Sequence, residues 1–117
     1  MEVLERDRIF ENVQKVGGYI GSELVRMQKE YPYMGDVRAL GLHIGMEMIK
    51  DPSTKEQDFE GCSKMRSVGF KNGIIYGDGG IARGKNVLKI KPPLITTMQE
   101  ADIILEKHEK CLKEVYG

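Results

Sequence analysis

The sequence predicts an α+β fold, a small antiparallel sheet of about three strands covered by helices. Three observations predict it. Apolar residues recur at helical spacing at both ends of the chain, a segment between them alternates with a period of two, and two short β-type runs lie close together across a glycine-rich loop. The 117 residues suit one domain. A chain of this length buries roughly 65% of the surface its unfolded form exposes, enough for one core.

Ile9, Val13, Val16, Ile20, Leu24 and Met27 form one apolar stripe. Pro32 restricts Tyr31 and predicts the end of this helix. Gly17, Gly18 and Gly21 lie inside it, each at a cost of up to about 1 kcal/mol relative to alanine. Such a cost predicts the close approach of another backbone element. Residues 37–49 alternate and read as one long strand, with Leu40, Leu42, Ile44, Met46 and Met48 on one face. Ala39, Gly41, His43, Gly45 and Glu47 make a second face almost bare of bulk, and the length predicts a bend or bulge at a glycine.

Asp51-Pro52-Ser53 reads as a turn, and Ser53 with Glu56 as a capping box opening a helix that runs to about Asn72. That helix is expected to bury Phe59, Cys62, Met65 and Val68, with Gly73 as its C-terminal cap. Ile74–Tyr76 and Val87–Lys91 read as short strands around a loop, Gly77–Lys85. Pro92-Pro93 stops the second of them, because proline cannot donate to a ladder. Thr97 with Glu100 is another capping box, and Ala101, Ile104, Leu105, His108, Leu112 and Val115 form the apolar face of a last helix.

Eighteen basic residues balance eighteen acidic ones, so bulk charge points to neither nucleic acid nor an anionic membrane as partner. No apolar run approaches the roughly 20 residues of a membrane span, and the charged N-terminal segment has no signal-peptide core. Cys62 and Cys111 are expected to be free thiols, and neither pairs with His43 or His108 at a metal-type spacing. A cytoplasmic location follows as the expectation.

Gly79–Asn86 nearly matches a phosphate-binding P-loop. However, Asn86 stands where a Ser or Thr hydroxyl would hold magnesium, and a strand follows where the motif needs a helix. A glycine-rich hairpin loop is the better reading. Lys85, Lys89 and Lys91 cluster locally, and a spacing of two puts Lys89 and Lys91 on one strand face. They could form an anion site for a carboxylate or phosphate, or merely a solvated face. His43 and Glu47 share a face, but no nearby group completes a catalytic set.

Three segments carry a family resemblance. Glu11-Asn12-Val13 followed by Gly18-Tyr19-Ile20 resembles the helix "ENA…G.YL" of class III aminotransferases, a branch of the fold-type I pyridoxal-phosphate enzymes. Gly35–Glu47 is similar to that family's "GDVRGLGLMIGIE", and Asn86–Leu94 resembles its "RI.PPL" strand. Ala39 replaces the usual glycine, and His43 stands where methionine is common. The resemblance covers essentially the whole chain and implies the small C-terminal domain of such an enzyme.

It also implies where the chemistry lies. In this family the lysine that forms the Schiff base with pyridoxal 5'-phosphate, and the aspartate that pairs with the pyridine nitrogen, belong to a large domain preceding this segment. The expectation is therefore no catalytic residue in this chain, no specific cofactor binding and no transamination by the chain alone. The implied partners are the large domain, the partner subunit of a homodimer, and small amino-acid and 2-oxo-acid substrates. Many members carry arginine at the position of Lys89, where it clamps the α-carboxylate of the substrate. "NVLKIKPP" is similar to a branch that includes alanine–glyoxylate-like enzymes and phospho-lyases acting on amino-alcohol phosphates. A free-standing small-anion-binding module or an interaction domain with the same fold is the competing expectation. Exposed apolar area is expected where the large domain would sit.

Overall fold

The computed structural model describes residues 3–78 and 86–117. The glycine-rich loop, Lys85 and most of the P-loop-like segment lie outside the described residues. Helix α1 (Val3–Gln28) is followed by strands β1 (Met34–Leu40) and β2 (His43–Met48), helix α2 (Phe59–Asn72), strands β3 (Gly77–Asp78) and β4 (Val87–Ile90), and helix α3 (Met98–Tyr116). The strands form one antiparallel sheet in the order β1-β2-β4-β3. The α+β class stands as expected, with a fourth strand only two residues long.

The stripe on α1 faces the core: Val16, Ile20, Leu24 and Met27 are buried, as are Ile44, Met46, Met48, Leu88 and Ile90 of the sheet. Burying each large aliphatic side chain is worth about 1.5–3 kcal/mol. Met65 of α2 and Ala101, Leu105 and Leu112 of α3 complete the same cluster.

The predicted long strand is instead a hairpin. Leu40 pairs with His43 across the two-residue loop Gly41-Leu42. Gly41 has φ of +58° at the first loop position, the place where a II′-type turn wants glycine. Reversal of the chain there inverts the facing of everything before it. Leu40, expected on the apolar face, shares the outer face with His43 and is 83% exposed. The irregularity expected at a glycine does occur, but between Met34 and Asp36.

The glycines of α1 divide as geometry requires. A Cβ on Gly17 would penetrate the carbonyl of Gly41, and one on Gly21 would come within 3.1 Å of the Ala39 Cβ. Gly18 has nothing within 4 Å of such a Cβ. Helix and hairpin thus approach at backbone distance along one side of α1 only.

The caps correct one expectation and meet two. Ser53 and Glu56 form no capping box. Asp58 caps α2, its carboxylate accepting from Gly61 N at 2.8 Å, and Phe59 is half-exposed. Asp51 holds the preceding turn by accepting from the amide and hydroxyl of Ser53. Gly73 ends α2 in the left-handed region at φ 84°. Thr97 and Glu100 exchange both bonds of a capping box, at 3.1 and 3.0 Å. Ile74–Tyr76 buries and exposes side chains alternately, but ladder pairing begins only at Gly77 opposite Lys89.

His108 is fully buried between Tyr76 and Met34. Its Nδ1 lies 2.6 Å from the Tyr76 hydroxyl and its Nε2 3.3 Å from the Met34 sulfur. The sulfur can only accept, so the neutral tautomer protonated at Nε2 satisfies both contacts, with the Tyr76 hydroxyl donating to Nδ1. Burial pushes the His108 pKa down to about 4 and raises that of Tyr76.

Two predictions follow from this packing. Gly17→Ala should destabilise the chain by about 1–3 kcal/mol through forced displacement of the hairpin, whereas Gly18→Ala should stabilise it by up to about 1 kcal/mol. Urea unfolding midpoints compare the two, and equal effects would refute the one-sided approach. For His108, the folded pKa lies below the unfolded value, so the unfolded chain binds the extra proton. Stability should be fully present above about pH 6.5 and fall by on the order of 3 kcal/mol as pH drops toward 4. Denaturant titrations across that range should show this slope weakened in His108→Gln.

Candidate functional site

The helices cover one face of the sheet, and the opposite face is open. Strand pairing arranges its side chains in rows, because directly paired residues of antiparallel strands point the same way. One row is Asp36, Glu47 and Val87. The next is Arg38, Gly45, Lys89 and Gly77, and Leu40 with His43 closes the set. A trough of about 530 Å³ lies over these rows.

The middle row carries the useful chemistry. Gly45 is its floor, and a Cβ there would meet nothing within 4 Å. Arg38 and Lys89 stand on either side of it, two strand spacings or roughly 10 Å apart at the backbone. The Arg38 Nε donates to the Asp36 carboxylate at 2.8 Å. Lys89, half-buried, makes no ion pair with any of the described residues. Two cations beside a flat glycine can receive an anion.

Asn86 holds the strand that carries Lys89. It is buried, and its side-chain amide donates to the Met48 carbonyl at 3.3 Å and weakly to Glu47 Oε1 at 3.5 Å. The residue that weakens the P-loop reading is thus a pin between β4 and the end of β2.

Of the sequence-level candidates, Lys89 lines the trough. Lys91 lies one residue beyond β4, is exposed and does not line it. Lys85 lies outside the described residues. His43 and Glu47 share the open face as expected, but four residues along a strand separates them by roughly 13 Å. Arg38 is the residue that sequence reading missed. Its signal would have been a hairpin parity that reverses at Gly41, which puts Arg38 in register with Gly45 and Lys89. Among the described residues no cluster of three metal-ligating side chains occurs, and no helix is long and apolar enough to cross a membrane.

A profile of the aminotransferase class III family matches residues 1–112. The chain belongs to this family.

Its relatives in the family span several reactions. It is 31% identical to the (R)-1-hydroxy-2-aminoethylphosphonate ammonia-lyase of Vibrio splendidus, over 98% of this chain and 23% of that protein. It is 32% identical to the isoleucine 2-epimerase of Lentilactobacillus buchneri, over 91% of this chain and 23% of that protein. It is also 30% identical to alanine–glyoxylate aminotransferase 2 homolog 2 of Arabidopsis thaliana, over 98% and 24%. Among solved structures, an aminotransferase from Bacillus anthracis superposes with a TM-score of 0.85 at 25% identity, over 97% of this chain and 26% of that one. An (S)-enantioselective omega-transaminase from Thermomicrobium roseum gives 0.81 at 29% identity, over 98% and 25%. The chain therefore spans about a quarter of the length of the relatives it matches.

Class III aminotransferases depend on pyridoxal phosphate. The open face does not fit that cofactor. Holding it as an electron sink takes a lysine and an acidic partner for the pyridine nitrogen in one enclosed site. Here Lys89 shares its row with Gly45 and Gly77, and the carboxylates of the neighbouring row, Asp36 and Glu47, stand with it on an open sheet face rather than in an enclosed site.

Asn86→Ala should lower the unfolding free energy by about 1–3 kcal/mol, because the Met48 carbonyl loses its side-chain donor and a small void opens. Amide exchange at Leu88 should accelerate in the same variant. Unchanged exchange there would remove Asn86 as the pin of β4.

Proposed function

We propose that this chain is the small C-terminal domain of a class III aminotransferase. In this reading its open sheet face closes over the substrate side of a pyridoxal-phosphate site, and that site is formed by a large domain and the partner subunit of a homodimer. The reaction is transfer of an amino group from an amino acid or amine to a 2-oxo acid. Lys89 meets the substrate carboxylate as a compact point charge, without the two-pronged geometry of arginine. The observation that carries this reading is the Arg38–Gly45–Lys89 row on the one sheet face that no helix covers.

Other features support it. Phe10 and Val25 of α1, and Leu94 and Ile95 after β4, are more than half exposed, as expected of surfaces that pack against further protein. Cys62 and Cys111 are both buried and neither is in a disulfide, which suits a reducing, cytoplasmic setting. The ammonia-lyase among the relatives keeps a lyase reading of the parent enzyme in play, since the same row would receive a phosphonate.

The test is direct. The purified chain is mixed with pyridoxal phosphate, alanine and glyoxylate. No amino transfer above that of free cofactor is expected, and no saturable absorbance change assignable to one lysine. Turnover, or a stoichiometric cofactor band removed by a single lysine substitution, would overturn the reading. Addition of a large domain that carries the cofactor lysine should restore activity.

A further inference from the structure

The structure assigns Arg38 a role of its own: a second anion receptor that selects ligands with two anionic ends, Lys89 taking one and Arg38 the other. This rests on the proposal that the open face meets substrate, and it adds the class of substrate. Three observations carry it. The first is register. Arg38 and Lys89 are both paired with Gly45, so they share one row and one face, with no side chain between them. A ligand lying across Gly45 reaches both.

The second is the way Arg38 is held. Asp36 engages its Nε at 2.8 Å, and the terminal Nη groups have no partner among the described residues. A guanidinium fixed at Nε and free at its terminal nitrogens presents its outer edge to a second anion in a set orientation. The carboxylate of Asp36 thus orients the guanidinium and leaves that outer edge clear. The third is exposure. The Arg38 side chain is 83% exposed, so it contributes no packing that would explain its place on the strand.

A ligand with one anion uses Lys89 and gains little from Arg38. A ligand with two, such as a dicarboxylate or a carboxylate bearing a phosphonate, uses both. The second contact at an exposed site should tighten binding by about threefold to fivefold.

The experiment uses the isotope-labelled chain and follows backbone amide shifts while acetate, glutarate or 3-phosphonopropionate is added. Acetate should shift amides around Gly45 and Lys89, and Lys89→Gln should abolish this. Glutarate should bind about threefold or more tighter than acetate. Arg38→Gln should remove that advantage, and Arg38→Lys should restore part of it. Tighter binding of 3-phosphonopropionate than of glutarate would identify a phosphonate as the preferred second anion, and weaker binding a carboxylate. Either result supports a two-anion ligand. Equal affinity of acetate and glutarate, or a glutarate advantage that survives Arg38→Gln, overturns the role of Arg38 alone. Acetate shifts that ignore Lys89→Gln, or no shifts on this face with any ligand, overturn the substrate-face reading as well. Because Arg38 is exposed and outside the core, its substitution leaves the amide spectrum dispersed, and the comparison stays readable.

Discussion

The close approach of Gly17 to the carbonyl of Gly41 is the constraint on which the rest of this fold depends. Two glycines have to coincide in space for it to exist. One lacks a side chain in the middle of a helix, and the other turns a hairpin at φ +58° with the Val13 methyl against it. The helix bears a propensity cost for its glycine. In return α1 lies flat on the hairpin, and Val16, Ile20 and Leu24 reach Ile44 and the sheet core rather than standing off by the width of a side chain. A hairpin clamped at its turn cannot slide, so the approach fixes which residues of β1 and β2 face inward.

The remaining ties join parts of the chain distant in sequence. Asn12 on α1 donates to the carbonyls of Leu94 and Thr96 at 2.9 and 3.0 Å, which anchors the connection between β4 and α3. Tyr116, at the end of α3, donates to Asp58 at 2.9 Å and stacks on Tyr33 with ring centroids 4.7 Å apart. Asp58 therefore caps α2 and receives α3 with one carboxylate. A Cβ on Gly61 would occupy the space of both Asp58 and Tyr116, so this joint also depends on a glycine. The helices are fastened to one another at their ends, and the sheet keeps its second face clear.

Local signals were legible in the sequence where a single residue decides the geometry. The stripe of α1, the left-handed glycine at position 73 and the Thr97–Glu100 box all follow from short-range rules that tertiary packing leaves alone. The hairpin was illegible because its loop is only two residues, Gly41 and Leu42, and leucine at an even position continues the apparent alternation through the reversal. The cap of α2 was missed for a related reason. Ser53 and Glu56 have the right spacing, but Asp51 already engages Ser53, and the helix begins only where Asp58 can cap it. At the candidate site, Lys89 was visible as a charge in a strand. Its neighbour Arg38 was not, since fifty-one positions of sequence and a reversal of parity separate residues that share one row.

That parity joins stability to chemistry. In each of β2 and β4 the core residues Ile44, Met46, Leu88 and Ile90 alternate with Gly45, Glu47, Val87 and Lys89 of the open face. A slip of one residue in either strand would bury Lys89 or Glu47 and expose a large aliphatic side chain. The charge alone would cost several kcal/mol without a partner. The register that seals the core is therefore the register that sets Arg38 and Lys89 astride Gly45, and the strength of the hydrophobic term holds the cations in place. A site built from weak, exposed charges needs no strong interactions of its own when its geometry is inherited from the buried face of the same strands. This explains how a face on which the described residues form one ion pair, Asp36 with Arg38, can still present a defined arrangement of charge to a ligand.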